Sequence, residues 1–262
     1  MAGISLLITG CSSIEPNDEG KSVNTKSATS PYVKLIYAKS SLVSLGGQGY
    51  THVLLAATGY IEVENVAYSK SVIVHYLGSN GWVDIAATYA SKGTGNNEIW
   101  KFTTGSIDYM PYWGSGSISF AIKYKVNGIE VWDNNGGNNY TVNGQGRGNP
   151  VVDAALGSAV LVQDNFYSYT NSTNTTVSGD LVLKNLAYSK TVQLVYTSNN
   201  WATSTTVNGT YYYAFNNGLE KWNYTFILPK TTTSIKYYLK YTVNGQTYYD
   251  NNFNTNYYAK IK

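Results

Sequence analysis

The sequence predicts an all-β protein: two tandem immunoglobulin-like β-sandwich domains joined by a short Gly-rich linker. Three observations support this prediction. The 262 residues include 26 Tyr, together with many Thr and Val, which favour strands. Short segments alternate apolar and polar residues between Gly and Asn turns, and an internal repeat returns after about 117 to 120 residues. We place the first domain at 31–142, the linker at 143–151 and the second domain at 152–262.

Residues 1–30 precede the repeat and differ from it in composition. The single cysteine, Cys11, follows Ile-Thr-Gly and resembles the lipobox of a bacterial lipoprotein. The apolar stretch is short and no Lys or Arg precedes it, so the charged region of a signal peptide is missing. Either the segment is a truncated signal with a lipidated Cys11, or the match is accidental. The polar residues 12–30 predict a disordered tether.

The first domain shows a series of short strand signals. The block Asn-Val-Ala-Tyr-Ser-Lys at 65–70 precedes alternating apolar residues at 72–76. A Trp in a polar turn follows at Trp82, and aromatics with a period of two return at 98–102. Residues 121–128 end in Val-Asn-Gly, which is a strong hairpin signal.

The second domain repeats these blocks in the same order. Residues 185–190 read Asn-Leu-Ala-Tyr-Ser-Lys, at an offset of 188 − 68 = 120. The lone Trp returns as Trp201, and the period-two aromatics return at 220–224. The hairpin block at 238–245 again ends in Val-Asn-Gly and leads into an aromatic followed by Asp-Asn-Asn, as in the first domain. A repeat of this length indicates two domains of one kind.

The turn tryptophans Trp82 and Trp201 are the strongest binding candidates, because a Trp among Asn, Gly and Ser has few core neighbours. A sugar ring has apolar C–H faces and a polar hydroxyl edge, so exposed rings beside amides suit it. Trp100 and Trp222 lie on alternating strands instead, and there we expect core packing.

The repeated blocks resemble the starch-binding modules of carbohydrate-binding module family 21, whose relatives include the N-terminal domains of mould glucoamylases and glycogen-targeting subunits of protein phosphatase 1. The resemblance rests on Asn-hydrophobic-Ala-Tyr-Ser-Lys, the turn Trp, Lys-Tyr-x-Val-Asn-Gly and aromatic-Asp-Asn-Asn. It implies a β-sandwich that binds α-glucans such as starch, glycogen and malto-oligosaccharides without cleaving them.

The resemblance also implies which residues contact glucan. The implied set is Trp82, Trp132, Asn134 and Asn139 in the first domain, and Trp201, Tyr238, Tyr249, Asn251 and Asn256 in the second. The family's third ring matches Tyr238, but the first domain has Ala121 at that position. Tyr112 and Trp113 are nearby aromatics that could replace it, although nothing in the sequence establishes this.

A second site on the opposite face of each module is a further implication of the resemblance. Its residues match Tyr68 and Tyr89 in the first domain, and Tyr188 and Tyr212 in the second. A further family aromatic falls on Asn97 and Leu219, which leaves this second site incomplete.

The same sequence argues against several other functions. A net charge of +3 without a Lys/Arg cluster is unsuited to nucleic-acid binding. A glycosidase needs two tuned carboxylates facing each other across a cleft, and the repeated acids lie in modules too small for one. No metal-ligand spacing or nucleophile motif occurs, so we expect no catalytic residue, no metal and no cofactor.

We expect a monomeric, extracellular protein whose partner is an α-glucan polysaccharide or oligosaccharide, and which reaches a membrane only through lipidation of Cys11. Five Asn-X-Ser/Thr sequons agree with an extracytoplasmic location, at Asn139, Asn171, Asn174, Asn208 and Asn223. Two alternatives stay open at this point. One is a cell-surface adhesin or structural wall protein that recognises another glycan or a protein, and the other is a detached accessory part of a glucoamylase or amylase.

Overall fold

The computed structural model describes residues 31–45, 52–109, 116–144, 154–215 and 217–261. These residues form strands, turns and one short 3-10 turn at Asn135–Gly137, with no α-helix among them. The all-β prediction is confirmed. The predicted tether with Cys11, most of the predicted linker, and the pair Tyr112 and Trp113 lie outside the described residues.

In chain order the strands of the described part are β1 Val33–Leu45, β2 His52–Glu64, β3 Lys70–Gly78, β4 Gly81–Ala86, β5 Thr88–Lys92, β6 Asn97–Thr103, β7 Ile107–Tyr109, β8 Ser117–Val126, β9 Ile129–Asp133, β10 Tyr140–Asn143, β11 Ala154–Leu156, β12 Leu161–Thr170, β13 Asn174–Lys184, β14 Lys190–Thr197, β15 Thr205–Asn208, β16 Thr210–Ala214, β17 Leu219–Pro229, β18 Ser234–Val243, β19 Gln246–Asp250 and β20 Tyr257–Lys260.

Each half of the chain folds as a pair of antiparallel sheets. In the first half, the order β1-β2-β6-β5 forms one sheet and β10-β8-β3-β4 forms the other, with β7 beside β2 and β9 beside β8. The second half repeats this as β12-β13-β17-β16 and β15-β14-β18-β19, with β20 beside β18. The prediction of two tandem sandwich domains is therefore confirmed.

The core of each sandwich comes from the inward-facing residues of alternating strands. β18 alternates buried and half-buried residues along its whole length, as the period of two requires. The fully buried tyrosines keep a hydrogen bond, because a buried hydroxyl without one would be costly. Tyr124 donates to the carbonyl oxygen of Glu64 at 2.7 Å, and its repeat counterpart Tyr241 donates to that of Lys184 at 3.1 Å. Burial raises the pKa of Tyr124 to about 12.

The Asp that follows the repeated aromatic ties the two sheets of its half together. Asp133 Oδ2 accepts a hydrogen bond from the backbone N–H of Leu35 at 2.6 Å, and Tyr140 donates to Asp133 Oδ1 at 2.9 Å. Its counterpart Asp250 accepts from the N–H of Gln163 at 2.7 Å. In both halves the receiving strand has a β-bulge at this point. This carboxylate therefore fixes the position of the preceding aromatic residue.

The two halves are in direct contact. β11 lies within the region predicted as the second domain, yet it pairs antiparallel with β1 of the first half. Lys39 Nζ donates to the carbonyl oxygen of Gln163 at 2.7 Å, across the same boundary. The ring of Phe253 lies 4.8 Å from that of Tyr60, measured between centroids. A sheet pairing, a lysine contact and an aromatic contact thus hold the halves against each other.

Within the described residues, no helix is long and apolar enough to cross a membrane.

Candidate functional site

Trp82 is exposed at the start of β4, on the outer face of the first half. β3 and β4 are joined by a two-residue turn, and Gly81 has a φ of 111°, a left-handed value that favours glycine. The sequence analysis placed Trp82 in this turn, whereas the structure makes it the second residue of the strand. Its side chain remains 45% exposed, which agrees with a residue that is not part of the core.

His75 forms the centre of an aromatic trio with Trp82 and Trp132. The imidazole stacks on Trp82 with centroids 4.8 Å apart and planes 10° apart. It meets Trp132 edge-on, at 5.8 Å and 88°. His75 lies directly opposite Ala121 in the β3–β8 pairing. The ring missing at Ala121 is therefore replaced by a ring from the neighbouring strand.

Charged side chains hold this imidazole in place. His75 Nδ1 lies 2.6 Å from Asp84 Oδ1, and Lys123 Nζ donates to Asp84 Oδ2 at 2.7 Å. The hydrogen bond from Lys123, followed by the one with His75, holds the pKa of the Asp84 carboxyl below its usual range. Lys123 also lies 5.2 Å from the centre of the Trp132 ring, within the range of a cation–π contact. Trp132 Nε1 donates to Glu130 Oε1 at 2.7 Å.

The second half contains the equivalent trio of Trp201, Tyr238 and Tyr249. Tyr238 stacks on Trp201 at 5.6 Å and 30°, and it meets Tyr249 at 6.0 Å and 62°. Trp201 has a φ of 70°, and its N–H donates to Thr197 Oγ1 at 3.0 Å, which stabilises the turn. Tyr238 lies opposite Val195 in the β14–β18 pairing.

In both halves, therefore, a middle ring stacks on a Trp and meets a second aromatic ring edge-on. The middle ring comes from β3 in the first half and from β18 in the second. The repeat does not predict His75 as a site residue, because the middle ring lies on a different strand in each half. The antiparallel register of β3 and β8, which sets His75 beside Ala121, is the signal that could have identified it.

The predicted asparagines divide into two groups. Asn134 Oδ1 accepts from the N–H of Gly137 at 3.0 Å, and Asn251 Oδ1 accepts from that of Asn254 at 3.0 Å. These two side chains shape their loops. Asn139 and Asn256 have left-handed φ values of 57° and 58°. Their side-chain amides make no hydrogen bond to any other residue that the structure describes, so they remain able to bind a ligand.

On the opposite face of the first half, Tyr68 and Tyr89 line one groove of about 670 Å³. Tyr68 is fully exposed, and Tyr89 meets the half-buried Trp100 edge-on at 6.2 Å and 89°. Tyr188, the counterpart of Tyr68, is equally exposed. The structure thus brings together the two tyrosines predicted for this face of the first domain.

In the second half, Tyr211 occupies the position equivalent to Tyr89, and the predicted Tyr212 does not. Tyr211 pairs with Trp222 across β16 and β17 and meets its ring edge-on, at 5.9 Å and 85°. Tyr89 and Trp100 pair in the same way. Both halves have a β-bulge directly after this tyrosine, with Ala90 as the extra residue in the first half and Tyr212 in the second.

The half-buried Trp100 and Trp222 pack against their cores, as predicted for them. Trp100 Nε1 donates to Glu98 Oε2, which also accepts from Lys70 Nζ at 2.9 Å. Trp222, Glu220 and Lys190 repeat this arrangement. Among the described residues, no group of three or more His, Cys, Asp or Glu side chains could hold a metal ion.

Comparison with known families agrees with these features. A family model described as "Carbohydrate/starch-binding module (family 21)" matches residues 41–143 and 159–260. The two matches coincide with the two sandwiches and include both aromatic trios. The resemblance found in the sequence motifs is therefore confirmed.

Individual relatives match one module at a time. Glucoamylase 1 of Rhizopus oryzae is 38% identical over 110 residues, which are 41% of this chain and 17% of that protein. Protein phosphatase 1 regulatory subunit 3B of Danio rerio is 34% identical over 89 residues, which are 32% of this chain and 29% of that protein. The chain thus spans less than a third of the length of either relative.

A solved structure of the starch binding domain of Rhizopus oryzae glucoamylase, in complex with beta-cyclodextrin and maltoheptaose, is 31% identical to this chain. It covers 39% of this chain and 94% of its own, with a TM-score of 0.33.

Proposed function

This chain belongs to carbohydrate/starch-binding module family 21, and on that premise we propose that each half holds an α-glucan on its aromatic trio without cleaving it. The observation that carries the proposal is the repeated trio. In the first half the middle ring is parallel to Trp82 and perpendicular to Trp132. An α-1,4-glucan curves, so rings set at an angle contact successive sugars better than a flat row does.

Amides supply the polar part of the proposed site. Asn139 and Asn256 follow the trio aromatics in their loops, and their amides are not engaged within the described structure. An amide can donate to one glucose hydroxyl and accept from another. Each site is expected to contribute about 4 to 6 kcal/mol, which corresponds to millimolar or high-micromolar affinity.

The repeated carboxylates support a role in binding and not in catalysis. Asp133 and Asp250 accept hydrogen bonds that join their sheets, and Glu98 and Glu220 each bond a lysine and an indole. A glycosidase requires a proton donor and a second carboxylate facing the same sugar bond. These four acids are instead occupied by structural contacts.

We further propose that the two modules act together on one polysaccharide, in an extracellular, monomeric protein. Once one module is bound, the second contact becomes intramolecular, which raises the apparent affinity for granules by about 10- to 100-fold. The contacts between the halves support joint action, because they limit the freedom that would otherwise be lost on binding.

The proposal is tested with the whole chain on granular starch, cellulose and chitin, and by calorimetry with β-cyclodextrin. We expect retention on starch alone, no release of reducing sugar, and loss of binding in the double variant Trp82→Ala/Trp201→Ala. Tyr169→Ala removes an exposed ring that lies on β12, outside both trios, and serves as the control. A folded protein that ignores starch and β-cyclodextrin at millimolar concentration would contradict the proposal.

A further inference from the structure

A cleft of about 320 Å³ lies between the two halves, beside the second trio. The first half contributes parts of β1 and β2 and the turn that follows β5, residues 92–94. The second half contributes residues 158–161 and the loop that follows β19. Tyr249 and Asn251 line this cleft, and both were predicted to belong to the second glucan site. The cleft and that site therefore share these two residues.

The repeat forms this kind of cleft twice. A second cleft of about 560 Å³ is lined by Asn135 and Asn139 from the loop after β9, and by residues 184–186 and 217–219 of the second half. In both clefts the loop next to a trio meets the strand ends of the other half. Association of the two modules thus places the loop after β9 and the loop after β19, which we call the trio loops, against the strand ends of the other module.

Four non-glycine residues in the loop after β19 have left-handed φ values: Asn252, Phe253, Asn254 and Asn256. Phe253 and Asn254 have φ values of 55° and 68°, whereas glycines occupy the corresponding positions, Gly136 and Gly137, in the first half. A left-handed conformation is unfavourable for a residue other than glycine, because its Cβ comes close to the following carbonyl oxygen. The contact between Phe253 and Tyr60 compensates for part of this cost. Such conformations cluster at ligand sites.

The lining of the cleft has the mixed character that a sugar requires. Phe253 and Tyr37 provide apolar rings, and Ser158 provides a hydroxyl. Asn254 provides its amide nitrogen, because its Oδ1 already accepts from Asn251 Nδ2 at 3.1 Å. Lys92 also lines the cleft, and its ammonium group has no hydrogen bond or ion pair with any residue that the structure describes. An ammonium that is free to donate can bind hydroxyl oxygens.

We propose that this cleft is a glucan subsite that extends the second trio site toward the first half, for linear α-glucans longer than the trio alone can hold. The proposal rests on the function proposed above. A linear chain lying on Tyr249 can continue past Asn251 into the cleft, where Lys92 and Asn254 bind its hydroxyls. A closed cyclodextrin ring has no free end and stays on the trio. The second site therefore distinguishes linear from cyclic glucans through a residue of the first half.

The test uses the whole chain in the background Trp82→Ala/Tyr68→Ala/Tyr188→Ala, which removes rings from the other proposed sites. Maltoheptaose and β-cyclodextrin contain the same number of glucose units, and each is titrated by calorimetry. Lys92→Ala and Asn254→Gly are each expected to weaken maltoheptaose about fivefold, the effect of one lost hydrogen bond, and to leave β-cyclodextrin unchanged. Asn254→Gly keeps the left-handed backbone accessible, as Gly137 does in the first half.

Lys230→Ala is the matched control, since Lys230 lies outside the cleft and its one hydrogen bond to a described residue is to the carbonyl oxygen of Ser172, at 3.4 Å. The subsite is refuted if Lys92→Ala leaves maltoheptaose binding unchanged, or if Asn254→Gly weakens both ligands equally. If the background protein binds neither ligand, the proposed glucan function itself fails. If only the subsite proposal is wrong, the background protein still binds β-cyclodextrin, so the two failures can be told apart.

Discussion

In the first half of the molecule the middle ring of the trio is His75 on β3, whereas in the second half it is Tyr238 on β18. The partner across the strand pair is small in both cases, Ala121 in one half and Val195 in the other. A cross-strand pair of one ring and one small residue fills similar space whichever strand carries the ring. The shape of the aromatic surface therefore depends on the cross-strand pair of residues and not on the residue at one position of the repeat.

The exchange changes the chemistry of the surface while keeping its shape. The imidazole of His75 is held by Asp84, and Asp84 by Lys123, so the first trio includes an ionic cluster. Among the described residues no carboxylate forms an ion pair or hydrogen bond with Tyr238. We therefore expect two sites of similar geometry whose affinities respond differently to ring substitution.

Removal of the trio Trp is the largest expected effect. Trp82→Ala and Trp201→Ala should each weaken β-cyclodextrin binding at their own site about 30-fold, because a central, partly exposed Trp provides most of the contact area. Calorimetry of the whole chain should show the loss of one binding site per substitution. Trp100→Phe is the control, since it changes a ring on the core side. Markedly unequal losses of affinity in the two halves would show that the two sites are not equivalent.

Exchange of the middle ring is expected to have the next largest effect. His75→Val should weaken the first site about fivefold, and addition of Ala121→Tyr should restore it by reproducing the arrangement of the second half. In the second half, Tyr238→Ala should weaken binding similarly, and Val195→His should recover part of the loss. Each site is titrated with the Trp of the other half replaced. An unchanged affinity in His75→Val would exclude this ring, and Tyr112 and Trp113 would then be tested.

The smallest expected difference concerns the opposite face. In a protein carrying Trp82→Ala and Trp201→Ala, Tyr211→Ala should reduce the residual retention on starch about twofold, as Tyr89→Ala should. Tyr212→Ala should leave retention unchanged, because this residue lies in the bulge and not opposite Trp222. Reduced retention in Tyr212→Ala together with unchanged retention in Tyr211→Ala would favour Tyr212, the residue predicted from the sequence.

The sequence was sufficient for features that depend on local patterns. Alternating strands, Asn-Gly turns and the repeat led to the two sandwiches. Trp82 was correctly expected to be exposed, whereas Trp201 is half-buried. Features that depend on pairing between strands were missed. His75 acts across the β3–β8 register, and Tyr211, not Tyr212, lies opposite Trp222 in the β16–β17 register. A register cannot be read from one strand alone.

The pairing of β11 with β1 has a consequence for synthesis of the chain. On the ribosome the first sandwich emerges before residues 154–156, which cover the edge of β1 from Tyr37 to Lys39. Until then this stretch presents unpaired N–H and C=O groups, the kind of edge that recruits strands from other molecules. The sheet of the first half is therefore complete only after residues 154–156, which follow the first half in the chain, have been synthesised. A gene shortened to end at residue 145 should yield a product more prone to aggregate than the full-length chain.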